Sequence, residues 1–296
     1  MTSLSPTENI SDSQRNLVGG LGFILIWSTG YIAAAFALEG SGGFTLASIR
    51  FVGTALLVGL WLLLRAPARP ARSELAHACI AGLLLHAGFF GFIYAGMRAG
   101  VPPSAAGLIA GLMPLTTSLF AVLLLGERMR FAGVMGLGLG VIGVLIVVVP
   151  DLQTFGSGVA YVLALCALLS LSIGTVYQKR HGGQLDARLG LVVQVGVSSL
   201  VVLPFAAFLE GFELHLSAKA IGGVVWVTLV NSCLGLLLYL WLIRRGAAGK
   251  VASLFFLVPP VTALMCALVL GTRFTAMDTV GFGLAAAGVW LGQRGN

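Results

Sequence analysis

Residues 114–144 read PLTTSLFAVLLLGERMRFAGVMGLGLGVIGV, and residues 259–289 read PPVTALMCALVLGTRFTAMDTVGFGLAAAGV. Twelve of these 31 positions are identical at an offset of 145 residues, among them Pro114/Pro259, Gly126/Gly271, Arg128/Arg273, Gly136/Gly281 and Gly143/Gly288. A chain rich in Leu, Ala and Val produces some matches by chance, but not this ordered set of Pro, Gly and Arg. The sequence therefore reads as two copies of one unit. In so apolar a chain, duplication points to a membrane protein with a pathway between the copies.

Composition sets the class. Hydrophobic residues make up 58% of the chain and charged residues 9%, with a mean hydropathy of +1.02; a soluble domain carries about 25% charged residues. Apolar runs long enough to cross a bilayer as helices recur at 17–38, 42–64, 75–97, 102–125, 131–149, 156–178, 188–209, 220–243, 249–270 and 277–293. The expected fold is an all-α polytopic membrane protein of ten transmembrane helices, with no room left for a soluble catalytic domain.

The net charge of +7 is a topology signal rather than a nucleic-acid signal. Of the 17 Lys and Arg, 13 fall at one set of helix ends, Arg98, Lys219 and Arg273 at the other, and Arg50 lies within helix two. Positive residues stay on the cytoplasmic side during insertion, so both termini are expected there. The polar residues 1–16 form a tail, 17–149 the first repeat, 150–155 a linker and 156–293 the second repeat. Five helices per copy is an odd number, so the second copy is inverted relative to the first. Inverted repeats place the substrate near the midplane between the halves. Cys79, Cys166, Cys233 and Cys266 all lie in apolar runs and read as packing residues. The sequence calls for no cofactor and no metal.

Several features together resemble the drug/metabolite transporter superfamily in its ten-helix form with two EamA-type repeats. They are the "GER" at Gly126–Arg128 after a helix broken by Pro114, its second copy from Leu254 to Arg273, Trp27, Arg50 and "YLWL" at Tyr239–Leu242. The resemblance spans residues 17–293. It implies a multi-pass protein of the bacterial inner membrane that exports small metabolites by alternating access. Bacterial members include exporters of aromatic and other neutral amino acids. One departure is Thr272, where the family's second Glu is expected; Glu127 then reads as a helix-end partner for Arg128 or Arg130. The partners implied are a small-molecule substrate and lipid, with the protein a monomer or homodimer.

Polar groups in hydrocarbon are costly and tend to face a cavity or a partner. The 145-residue offset pairs His86 with Asn231 and Tyr94 with Tyr239. Helix three presents His86, Phe90 and Tyr94 on one face, and helix eight Asn231, Gly235 and Tyr239, because i, i+4 and i+8 share a face. The expected arrangement is a polar centre with Tyr94 at the outer mouth and Tyr239 at the inner one. A buried His or Asn serving only to bind a neighbouring helix is the alternative. Trp27 and Tyr31 are candidates for a cavity wall, with Ser170, Ser172, Thr175 and Tyr177 in the matching place on helix six. Pro114 and Pro259 free backbone carbonyls that bind substrate, bend during gating, or mark fixed kinks. Ser253 and Phe256 precede the second break on the pore-side face. Arg50 either attracts a carboxylate, snorkels to the interface, or binds freed carbonyls. No Asp or Glu lies mid-helix, which disfavours carboxylate-based proton coupling and cationic substrates. His86 is the one proton-binding group at depth, and a His86-coupled proton step is the alternative to facilitated transport. An intramembrane enzyme would need clustered catalytic groups, and the four His are scattered.

Overall fold

Leu, Val, Ala and Gly dominate almost every segment, and in a medium without water a backbone so placed must bond to itself. The structure, a computed structural model, describes residues 6–64, 70–152, 157–182, 185–244 and 257–294. The described residues are helical apart from short connections and one isolated antiparallel bridge, Ser41–Leu214. The helices are α1 (Pro6–Leu38), α2 (Gly43–Leu64), α3 (Arg72–Arg98), α4 (Pro103–Leu125), α5 (Phe131–Asp151), α6 (Ser157–His181), α7 (Ala187–Glu210), α8 (218–244), α9 (Val258–Leu270) and α10 (Ala276–Arg294). Among the described residues, α1 to α7 each carry a stretch long and apolar enough to cross a membrane; 218–234 of α8 and all of α9 are shorter apolar helices.

Local chemistry sets the ends. Gly126 and Gly271 close α4 and α9 with φ of 68° and 67°, a left-handed conformation that glycine adopts without steric cost. The Asp186 carboxylate accepts hydrogen bonds from the backbone N–H of Arg188 and Leu189 and starts α7. Helix α4 is not continuous. Pro114 has no N–H to donate, and the helix breaks at Leu112 into Pro103–Gly111 and Met113–Leu125. Helix α1 begins at Pro6, so it runs back into the segment expected to be a tail. Glu127 pairs with Lys179 of α6 at 2.8 Å, not with Arg128 or Arg130. The expected start of helix nine at 249 lies outside the described residues.

Helices pack in pairs that obey the repeat. A Cβ on Gly136 of α5 would lie 2.5 Å from the carbonyl oxygen of Gly288 of α10, and one on Gly143 would lie 2.5 Å from that of Gly281. Gly281 and Gly288 are the counterparts, 145 residues on, of Gly136 and Gly143, so α5 and α10 cross antiparallel with their counterpart faces together. Gly136, Gly143, Gly281 and Gly288 are thus all used inside the molecule. Helices α2 and α7 do the same, with Phe44 stacked on Phe205 at one end and the Arg188 guanidinium over Trp61 at the other. Helix α3 packs on α6, and α1 on α8. Gly111 of α4 abuts Pro259 of α9.

Two substitutions test this packing by thermal unfolding in detergent. Gly136→Val should cost about 1–3 kcal/mol through overpacking, whereas Val at Gly138, which faces open space, should be neutral. Asp186→Ala should cost about 1 kcal/mol by loss of the cap. The Arg188 hydrogen bonds hold the Asp186 carboxyl below its usual range. Its contribution is therefore full above the unfolded carboxylate pKa and lost as pH falls through the lowered folded value.

Candidate functional site

A cavity of about 490 Å³ lies among α1, α2, α3, α6, α7 and α8. Its blind end is walled by Trp27, Tyr31, Arg50, Phe51, Phe90 and Tyr94. From there it runs past His86 and Gln194 to His77, Gln178 and His181, the last two exposed. The open end coincides with the ends of α3 and α6 that carry Arg72, Lys179 and Arg180.

Helix α3 supplies its length of wall. His86, Phe90 and Tyr94 share a face, as their spacing requires. Around His86 the helix widens into a π turn over Leu83–Gly88, and around Asn231 α8 does so over Trp226–Leu234. These two turns occupy counterpart positions. A π turn is costly within an α-helix and is often found at functional sites. His86 Nε2 bonds to the Gln194 amide oxygen at 3.1 Å, and the Gln194 Nε2 donates to Gln178 Oε1 at 3.3 Å. A line of side-chain hydrogen bonds thus joins the His86 ring to the exposed end. Phe51 meets the His86 ring edge-on, and Phe90 lies parallel to it.

The blind end is closed by Arg50. Its side chain reaches across from α2, donating Nε–H to Ser232 Oγ of α8 at 3.0 Å and an Nη1 hydrogen to Tyr94 Oη of α3. The guanidinium lies 3.8 Å from the centre of the Phe90 ring, a cation–π contact. Arg50 is 7% exposed and Tyr94 3%. Beyond this layer, Glu210 of α7 accepts hydrogen bonds from the Phe44 and Thr45 N–H groups and the Thr45 hydroxyl, fastening the start of α2. Arg98 pairs with Glu213 at 3.2 Å on the surface.

The expected residues divide as follows. His86, Phe90, Tyr94, Trp27, Tyr31 and Asn231 all line the cavity. Asn231 also donates its amide hydrogen to the Ile26 carbonyl of α1, so it ties two helices together. Tyr94 is buried in the closed end, where its hydroxyl accepts from Arg50. Tyr239 sits on α8, its side chain outside the described set, and Ser253 and Phe256 lie outside the described residues. Pro114 and Pro259 are away from the cavity. The Pro114 carbonyl accepts from the Ser118 hydroxyl, and Pro259 packs on Gly111. Of the α6 hydroxyls only that of Tyr177 belongs to a cavity residue, where it bonds His77 Nδ1 at 2.7 Å. Ser170 and Thr175 bond to backbone carbonyls, and Ser172 to Thr116. Arg50 is buried, and among the described residues it bonds to Ser232 and Tyr94 and to no freed carbonyl. Gln194 escaped the sequence reading because its counterpart is the apolar Ile49; an amide at mid-helix depth was the signal available.

Residues 15–149 and 158–292 match the EamA-like transporter family. The chain belongs to that family. A probable amino-acid metabolite efflux pump of Salmonella typhimurium is 25% identical over 92% of both chains. An uncharacterized transporter of Bacillus subtilis is 26% identical over 90% of this chain and 88% of its own. A probable terminal-alkyne amino-acid exporter of Streptantibioticus cattleyicolor is 24% identical over 92% and 91%. A solved crystal structure shares the fold, with a TM-score of 0.65 at 20% identity over 94% of this chain and 96% of that one. This EamA-like chain is accordingly a multi-pass membrane transporter of small molecules, and the cavity is its candidate substrate site.

Thiol labelling tests the cavity. In a background with the four native cysteines replaced, Ala81→Cys and Gln178→Cys should react with a charged maleimide. Leu46→Cys, fully buried between helices, should not. An inert Ala81→Cys would show that water does not reach the wall.

Proposed function

We propose that the protein exports small neutral amino acids, aromatic ones among them, by alternating access across the bacterial inner membrane. The observation that carries this is a blind cavity enclosed by helices of both sequence copies, open at the basic end and latched at the other. In this proposal the ten apolar segments span the membrane as two inverted five-helix repeats, 17–149 and 156–293 joined by 150–155, with both termini cytoplasmic. The antiparallel pairing of counterpart helices supports it, since a two-fold axis in the membrane plane produces such pairs. The open end then faces the cytoplasm, as an exporter awaiting substrate requires. An aromatic and largely apolar wall suits a small zwitterion with an apolar side chain. The relatives described as an amino-acid metabolite efflux pump and an amino-acid exporter support the same substrate class.

With no carboxylate placed mid-helix, facilitated flux is the primary energetic reading. A second one is a proton carried by His86, whose ring lines the cavity; the amides of Gln194 and Gln178 orient that ring and relay no proton.

Purified protein in liposomes loaded with labelled Phe, Trp, Thr or Met provides the test. Saturable release with mutual competition is expected, and no flux of any of the four would overturn the amino-acid reading. Release that is unchanged by a pH gradient, with and without His86→Ala, would remove the proton-coupled reading. Labelling of Gln178→Cys from the cytoplasmic side of intact membranes, and not from the outer side, is expected for the orientation.

A further inference from the structure

Among the described residues Arg50 is a cation without an anion. Removing a charge from water costs several kcal/mol unless it is paired, yet among the described residues no carboxylate lies within ion-pairing distance of this guanidinium. Two acids of the surrounding helices are accounted for. Glu210 caps the start of α2, five residues before Arg50, and spends its oxygens on two backbone N–H groups and a hydroxyl. Glu74, the acid that lines the cavity, stands twenty residues from Tyr94 along α3, about 30 Å at 1.5 Å per residue. The partners Arg50 does have are neutral: two hydroxyls and the face of Phe90. A guanidinium carries five N–H donors, and hydrogen bonds within the described residues use two of them. The group sits in the wall at the blind end of the cavity, where a substrate travelling in from the open end would stop.

We propose that Arg50 is the carboxylate-binding group of the transporter, and that the substrates are therefore monocarboxylates whose apolar remainder lies against Trp27, Phe51 and Phe90. This rests on the amino-acid reading for its physiological meaning but not for its chemistry. A planar fork of N–H donors matches a carboxylate in bidentate fashion. One cation is too few for a phosphate ester, which recruits several. Phe90, stacked on the guanidinium face, leaves the donor edge free to address the ligand. The same guanidinium holds α2 to α3 and α8 through Tyr94 and Ser232. An incoming carboxylate competes for these N–H groups with neutral hydroxyls, and an anion is the stronger acceptor. Binding at Arg50 thus weakens the three-helix latch that closes the blind end.

The test uses purified full-length protein in detergent, with 3-phenylpropanoate, phenylalanine and phenylalaninamide as probes, read by thermal stabilisation and by tryptophan fluorescence. Both acids should bind, and the amide, which keeps the ring and the amino group but lacks the anion, should bind about tenfold or more weakly, the loss typical of one charged hydrogen-bonding partner. Arg50→Gln should erase the difference between acid and amide. Tyr94→Phe, which leaves the guanidinium in place and removes one neutral partner, should keep it; that variant and the wild-type comparison decide the matter even if Arg50→Gln does not fold. Equal binding of acid and amide to the wild type, or an acid preference surviving in folded Arg50→Gln, overturns the assignment and leaves amino-acid export standing. Acid-selective, Arg50-dependent binding without flux of any amino acid in liposomes upholds the assignment and overturns amino-acid export.

Discussion

Hydrocarbon gives a helix no reason to bury its apolar face against another helix, so association in the membrane depends on how closely two backbones can approach. Everything else in this molecule depends on where that approach is allowed. At Gly136, Gly143, Gly281 and Gly288 the chains of α5 and α10 come together with no room for a side chain. At Gly96 the backbone of α3 meets Ala160 and Ala164 of α6, and in the counterpart contact Gly19 of α1 meets Trp241 of α8. These contacts lie away from the middle of the bundle. Where α1, α2, α3, α7 and α8 surround its centre, the inward residues are Trp27, Phe51, His86, Phe90 and Gln194, which hold the backbones apart. The cavity is the space these bulkier side chains leave between the close crossings.

A cavity wall made by such side chains must also satisfy their polar atoms, and this governs the closed end. The Arg50 charge is tolerable at depth because Phe90 covers one face of the guanidinium and two hydroxyls engage its edge. Among the described residues no acid neutralises it. A buried ion pair in that position would be a fixed strut, since separating it would expose two charges to a medium of low dielectric. Hydroxyl partners bind less tightly and carry no charge of their own. The latch across α2, α3 and α8 is therefore held by interactions weak enough to exchange within a transport cycle. The durable fastening lies one layer further out, where Glu210 bonds to the backbone at the start of α2.

Much of this was legible in the sequence because the signal was periodic or duplicated. The helical class followed from the apolar runs, the glycine contacts from the repeat, and the shared face of His86, Phe90 and Tyr94 from helical spacing. What resisted reading was contact between segments distant in the chain. The Glu210 cap on Phe44 and Thr45 spans some 165 residues and leaves no local mark. The partner of Glu127 is Lys179, on another helix, where local reasoning looked to its neighbours Arg128 and Arg130. Tyr94 lies on the face its spacing requires, but its partner Arg50 stands 44 residues away on another helix, a pairing that helical spacing does not show. The π turns have no sequence signature at all; they arise where one extra residue must be absorbed.

Those π turns show how duplication and asymmetry combine. They occupy counterpart positions in the two copies, over Leu83–Gly88 and Trp226–Leu234, and such turns are frequent at functional sites. The side chains at the two turns do different work. Asn231 donates to the Ile26 carbonyl and binds α8 to α1, while His86 faces the cavity and leads through Gln194 toward Gln178. Arg50 deepens the difference, because its counterpart at the 145-residue offset is Val195, which offers no charge at the other end. A strictly symmetric pair of halves would make the two ends of the cavity equivalent and give neither a preference for opening. The same helices with one cation at one end hold that end closed, and the other end stays open.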